Sequence, residues 1–311
     1  MEKLKSINEQ NKINLREALG NQKVTDFVEK FRKESYSANC LGHEEEIKAI
    51  LEEAFRLLIQ NKDDEEKFEL AVKKITYQLF QKQNEDFWFN RIYRDYKTDI
   101  KPEKTFNLLK DRLNGKRILD IGSGGGYLAL KLFKAGYEVL TTDVLDYRVK
   151  EAKMLPFKRM SGVQIPYPDK SADTVLLFDV LHHIAGEEQP SMLRELKRVA
   201  TRAIIEEDVY DLPDEASFKE VIEKLELLKE FNSLEVKDQF QVLILLDYVS
   251  NALCQGLPQM NFPFNFRTVL EWQELFRKER FRIIEMKLLG FQEGHFNSSC
   301  HVLFVIKNEK K

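Results

Sequence analysis

Residues 119–132 read LDIGSGGGYLALKL, and the fold follows from how this stretch is parsed. An apolar run ends in four glycines within five positions, and a helix-like apolar run follows. A strand that breaks into glycines and opens a helix is the nucleotide-binding turn of a doubly wound α/β sheet. Register then decides which ligand it suits. The dinucleotide spacing G-x-G-x-x-G requires glycine at 122, 124 and 127, but position 127 is Tyr127. The spacing present is D-x-G-x-G-x-G, carried by Asp120, Gly122, Gly124 and Gly126. A dehydrogenase is disfavoured, and Gly125 reads as the spare glycine.

Working outward, RILDI, YEVLTTD, SADTVLLFDVLHHI and RAIIEED supply apolar strands, with the helices YLALKLFKAG and SMLRELKRVA between them. Short strands alternating with helices predict a parallel sheet with helices on both faces. At Thr268, T-V-L-E predicts a capping box for the next helix. FRIIEMKLL and HVLFVIK close the chain, and the loop between them is too short for a crossover, so they must be antiparallel. Residues 1–105 form a separate, highly charged helical region. EEIKAILEEAFRLLIQ and a helix capped from Asp63 to Glu66 pair there as an antiparallel hairpin. The expected organisation is this accessory region, then an α/β domain over 106–311 with a helical insertion at about 212–266.

The D-x-G-x-G-x-G turn resembles motif I of the class I S-adenosylmethionine (SAM) methyltransferases. So does SGVQIPYPDKSADTVLLFDVLHHI, in which Ile165-Pro166-Tyr167-Pro168-Asp169, Ser171, Asp173 and Leu181-His182-His183 fill most of a motif found in small-molecule methyltransferases. The resemblance runs over about 115–307. It implies a Rossmann-like seven-stranded sheet whose last strand is antiparallel, and S-adenosyl-L-methionine as cofactor. Cofactor contacts are then expected from Asp120, Gly122, Ser123, Gly124 and Gly126 at the methionine end. Asp143 and Val144 follow the second strand, where a carboxylate can accept from both ribose hydroxyls. Related enzymes carry an acid at the adenine position; here it is Ser161, with Gly162 and Val163 beside it. Phe178 and Asp179 line the methyl-donor end.

Methyl transfer requires alignment and exclusion of water, with a base only where the acceptor is poorly ionised. His183 and Asp208 are the catalytic candidates. His183 follows the fourth strand, and Asp208 belongs to the Glu206-Glu207-Asp208 run that ends the fifth. His182, His183, Tyr248, Asn251, Phe264 and Phe266 are the acceptor-binding candidates, the last four from an aromatic stretch placed over the site in similar enzymes. Together they favour a small apolar or aromatic acceptor.

The remaining features exclude more than they assign. The 311 residues carry 32% charged side chains and a net charge of −3, which argues against nucleic-acid binding. Three separated cysteines match no metal or disulfide spacing, and His295 and His301 match none either, so no metal is expected. No apolar run is long enough for a membrane span, and a cytoplasmic enzyme is expected. An RNA or protein methyltransferase that docks through its N-terminal helices, or a non-catalytic SAM-binding protein, are the alternatives. Oligomeric state is not legible.

Overall fold

The computed structural model describes residues 8–80, 87–254, 262–292 and 295–309. Helices α1 (Glu9–Gly20), α2 (Gln22–Asn39), α3 (Glu44–Asn61), α4 (Glu65–Phe80) and α5 (Trp88–Asp95) come first. A wide π turn, Tyr96–Ile100, leads into α6 (Lys101–Leu109). The alternating part follows: β1 (Arg117–Ile121), α7 (Tyr127–Lys134), β2 (Glu138–Asp143), β3 (Phe157–Arg159), β4 (Thr174–Phe178), α8 (Gln189–Val199) and β5 (Arg202–Tyr210). Three more helices interrupt it: α9 (Ala216–Lys224), α10 (Glu226–Ser233) and α11 (Val236–Tyr248). The chain closes with β6 (Arg267–Thr268), α12 (Val269–Lys278), β7 (Phe281–Phe291) and β8 (Cys300–Asn308).

The expected doubly wound sheet is present. Its strand order is β3-β2-β1-β4-β5-β8-β7, and the two-residue β6 pairs with β5 as an extra strand. Strands β1 to β5 are parallel neighbours. The closing hairpin turns its last strand, β8, antiparallel between β5 and β7. From β1 the chain winds outward to β2 and β3, then returns to the other side of β1 with β4. Strand order therefore reverses between β1 and β4, and a crevice opens beyond the C-terminal ends of those two strands. The β1 and β4 side chains Ile118, Leu119, Val175, Leu176 and Leu177 are fully buried, which fixes the floor of that crevice in the core.

The chain divides into two compact units. One comprises 95–208, 267–288 and 302–311 and holds most of the sheet. The other joins 1–94, 209–266 and 289–301, so the N-terminal helices and the insertion build one body rather than a cap and a separate lid. The physical reason is α11, whose Val242–Leu246 run is buried and packs on α1 and α2. Polar side chains on this helix are also buried and satisfied: Asn21 Nδ2 donates to Asp238 (2.7 Å) and Gln241 (2.8 Å). Helices α3 and α4 form the expected hairpin, but the cap is one residue later. Asp64, not Asp63, accepts from Lys67 N at 3.1 Å, because the turn closed by Asp64 N on Asn61 O uses one more residue. Glu66 then sits at the second helical position, out of register for the box. The Thr268 box forms as expected, with Glu271 N donating to Thr268 Oγ1 (3.1 Å) and Thr268 N to Glu271 Oε2 (2.8 Å). No helix among the described residues is long and apolar enough to cross a membrane.

Candidate functional site

The glycine turn sits at the point where strand order reverses. Gly122, Gly124 and Gly126 adopt φ of 69°, 50° and 76°, a left-handed conformation that side chains disfavour. Each meets different surroundings. A Cβ on Gly122 would lie 2.5 Å from Val180 Cγ2, so the turn after β1 presses directly on the turn after β4. One on Gly124 would have a single neighbour within 4 Å, Gly122 O at 4.0 Å, so that part of the turn has room beside it. Gly125 is not spare: the Tyr127 ring lies across it, with Cε2 2.5 Å from where a Cβ would be.

Two carboxylates face this turn. Asp143 Oδ2 accepts from Gly124 N at 2.8 Å, and Oδ1 from Val144 N at 2.7 Å, which ties the end of β2 to the turn. Asp120 is 5% exposed, and no donor among the described residues reaches its side chain. Burial, reinforced by the charge of Asp143, pushes the Asp120 carboxyl up to about 7. Burial also raises Asp143, against the pull of its backbone donors. Ser123 Oγ, in the same turn, is buried without a hydrogen-bond partner among the described residues. A hydroxyl and a buried acid that find no partner among the described residues, at a turn with room beside Gly124, fit a ligand carrying both cationic and polar groups.

The segment Ile165–Asp169 is held by one arginine. Arg198 Nη2 donates to Ile165 O (2.8 Å) and Nη1 to Tyr167 O (2.8 Å) and Asp169 Oδ1 (3.0 Å), while Glu195 accepts from Ile165 N (3.0 Å). Tyr167 Oη reaches back to Thr141 O on β2 at 2.9 Å. Ser161 and Gly162 lie in an exposed turn just before this clamp, and Met160 N donates to Asp143 O (2.8 Å), which sets 161–163 beside the Asp143 end of the crevice.

Beyond β4 the chain turns sharply. Asp179 takes φ 56° and its N–H donates to Glu206 O (3.0 Å), and residues Leu181–His183 form one tight helical turn. Gln189 bolts this turn by donating to Leu181 O (2.9 Å) and accepting from Arg267 Nε (2.7 Å). The three acids of β5 do not end the strand, as the sequence suggested. The strand runs on to Tyr210, and Glu206, Glu207 and Asp208 are all buried. Strand alternation puts Glu206 and Asp208 on one face and Glu207 on the other. Glu207 receives Val180 N (3.1 Å), Leu181 N (2.6 Å) and His182 Nδ1 (2.7 Å). His183 is half-buried, its ring 4.2 Å from that of His182.

Lys101, an exposed residue at the start of α6, feels the charges of this site, which was not legible in the sequence. Desolvation works against its ammonium, but Tyr96, Asp179 and Glu206 outweigh that cost and hold its proton above the ordinary lysine range. Its only sequence signal is the Lys97/Lys101 spacing ahead of β1, which many solvated helices share.

The aromatic candidates lie in the other unit. Tyr248 (4% exposed) packs on Phe262, Phe262 on Phe264 and Phe264 on Phe266, with centroids 5.3, 6.0 and 6.3 Å apart. Asn251 Nδ2 donates to Asp247 Oδ1 at 2.6 Å. Residues 255–261 of the same stretch lie outside the described ones.

Comparison with known proteins finds partial matches. Residues 119–203 match the methyltransferase domain model. A ubiquinone biosynthesis O-methyltransferase from Rickettsia prowazekii is 30% identical over 141 residues, covering 42% of this chain and 52% of the relative. Its namesake from Dinoroseobacter shibae is 31% identical over 110 residues, covering 32% and 41%. The chain thus spans about half the length of the curated relatives it matches. Among solved structures, magnesium protoporphyrin IX methyltransferase from Synechocystis, with bound SAH, aligns at 18% identity and TM-score 0.42, covering 76% of this chain and all of that one.

Proposed function

Since residues 119–203 match the methyltransferase domain model, we propose that this chain binds S-adenosyl-L-methionine beyond β1 and β4 and transfers its methyl group to a small organic acceptor. The observation that carries the reading is Asp120: a buried carboxyl without a donor among the described residues, at the foot of a turn with room beside Gly124. When bound, the cofactor supplies a methyl on a sulfonium; the methyl–sulfur bond breaks as the acceptor bond forms, and the electron pair stays on sulfur.

The chain's own residues bind, orient and exclude water. Asp120 meets the ammonium, and Ser123 with the N–H groups of the glycine turn meets the polar methionine end. Asp143 keeps acceptor capacity on both oxygens for the ribose hydroxyls, with Val144 beside it. Ser161, Gly162 and Val163 border the adenine, and Phe178 and Asp179 border the methyl-donor end. Tyr127, standing where a dinucleotide enzyme carries glycine, opposes NAD.

The acceptor is proposed to be apolar or aromatic with a hydroxyl group, in keeping with the relatives named for ubiquinone biosynthesis and with Tyr248, Asn251, Phe264 and Phe266 as binding candidates. Where the acceptor atom carries a proton, His182, His183 and Asp208 are the residues able to take it. A reducing, cytoplasmic setting is in keeping with three separated cysteines that match no disulfide spacing.

Calorimetric titration with SAM and with NAD tests the premise. Saturable SAM binding without NAD binding is expected, and Asp143→Ala should weaken SAM by about tenfold or more, as expected for loss of charge-assisted hydrogen bonds. No SAM binding at millimolar concentration would sink the reading.

A further inference from the structure

Glu207 is wholly buried, and its two oxygens have different tasks. Oε1 accepts from the N–H groups of Val180 (3.1 Å) and Leu181 (2.6 Å), which caps the tight turn after β4. Oε2 lies 2.7 Å from His182 Nδ1. A turn cap needs only the first. A glutamine would cap the turn equally well through its amide oxygen, so what a carboxylate adds is an acceptor at the second contact. That contact has a chemical consequence. An imidazole whose Nδ1–H donates to a carboxylate carries its lone pair on Nε2, and the carboxylate stabilises the imidazolium once Nε2 takes a proton.

The neighbourhood bears on what such a pair does. His182 is 2% exposed and follows β4, at the strand end where the glycine turn presses on Val180 through Gly122. Glu207 thereby holds one short turn, Val180–His182, that reaches both the cofactor turn and the imidazole. Within this unit the titratable groups beside the pair are His183, whose ring centroid is 4.2 Å from that of His182, and Asp179, whose charge acts on Glu207. Burial raises the Glu207 carboxyl, and the adjoining imidazole opposes the rise.

We propose that His182 and Glu207 form the proton-accepting pair for a hydroxyl acceptor: His182 Nε2 takes the hydroxyl proton, and Glu207 is the positioning residue that fixes the tautomer. This rests on the methyl-transfer reading above. The proton balance is complete. The acceptor O–H bond breaks, the proton adds to Nε2, the imidazolium is countered by Glu207, and the proton passes to water after methyl transfer.

The decisive variant is Glu207→Gln, because the amide keeps the turn cap while its NH2 must donate to Nδ1 and so reverses the tautomer. Long-range proton–nitrogen correlation spectra of protein with labelled histidines read this directly, with the His182 signals assigned by their loss in His182→Gln. The expected result is Nδ1–H in the native protein and Nε2–H in Glu207→Gln. An Nε2–H tautomer in the native protein, or no change in the variant, overturns the pair.

Label transfer from methyl-labelled SAM to catechol and to the far more acidic 4-nitrocatechol supplies the kinetic arm. Both variants should lose about 100-fold with catechol near neutral pH. They should lose much less with 4-nitrocatechol, which arrives already ionised, while SAM affinity stays within about twofold by the same factor-of-ten energy scale. Equal losses with the two acceptors overturn the base assignment. Intact SAM binding with transfer to neither probe removes the hydroxyl acceptor and overturns this proposal alone, whereas failure of the native chain to bind SAM removes the methyl-transfer reading and this proposal with it.

Discussion

With Asp120 as the proposed partner of the ligand's ammonium, binding and stability oppose each other at a single residue. Its folded carboxyl is raised to about 7, well above the roughly 3.9 of an unfolded aspartate. Between those values the folded state holds a proton that the unfolded state has released, so this group's contribution to stability is full in acid and is lost as pH rises through about 7. Near pH 8 the charged carboxylate is buried without a donor, which costs a few kcal/mol. Asp120→Asn should therefore melt higher than the native protein near pH 8 and lose that advantage near pH 4, as read by calorimetric melting. Its SAM affinity should fall, whereas native affinity should strengthen as pH rises through 7 and the carboxyl ionises. A variant that melts lower near pH 8, or native affinity flat across that range, would contradict the placement of Asp120.

Turns, rather than strands, hold the site at the scale of elements. The end of β1 and the end of β4 meet where Gly122 approaches Val180, a position with φ 69° and no room for a methyl group. Gly122→Ala should destabilise by about 2–3 kcal/mol, combining left-handed strain with overlap against Val180. Val180→Ala in that background should recover part of the loss, because it removes the colliding methyl but not the strain. Chemical denaturation of the two single variants and the double variant measures the coupling, and strict additivity would show that the two turns do not press on each other. The same scale explains the IPYPD segment. Its sequence resembles a family motif, while its local role is mechanical: Arg198 grips the Ile165 and Tyr167 carbonyls and holds the chain beside the end of β2.

For the molecule as a whole, the N-terminal helices are structural partners of the insertion. Arg32 is fully buried, with Nη1 on Phe296 O (2.8 Å) and Nη2 on Leu246 O (3.1 Å) and Ser250 Oγ (2.6 Å). One guanidinium thereby ties α2 to α11 and to the β7–β8 connection. Arg32→Met removes the hydrogen bonds to Phe296 O, Leu246 O and Ser250 Oγ from a buried site and should cost about 3 kcal/mol or more. Lysine should not rescue it, since an ammonium lacks the planar fork. Removal of residues 1–94 should expose the buried Val242–Leu246 face of α11, giving a chain that binds hydrophobic dye or aggregates. A monodisperse, folded truncation would refute the shared core.

What the sequence determined by itself was whatever depends on local spacing. The alternating apolar runs set the doubly wound sheet. The register of Gly122, Gly124 and Gly126 set the class of turn, and the Thr268 cap and the α3–α4 hairpin followed from neighbours three or four residues apart. Contacts between distant residues were decided only in three dimensions. Glu207 and His182 are 25 residues apart, and nothing local distinguishes a buried acid that orients an imidazole from one that solvates a strand end. The charges of Asp179 and Glu206 reach Lys101 from distant parts of the sequence, and Arg32 meets Leu246 and Phe296 only because three separated segments share one core. Periodicity reports which face of an element is buried; it carries no record of which polar groups then find each other in the dark of the interior, and that pairing is where this site's chemistry is set.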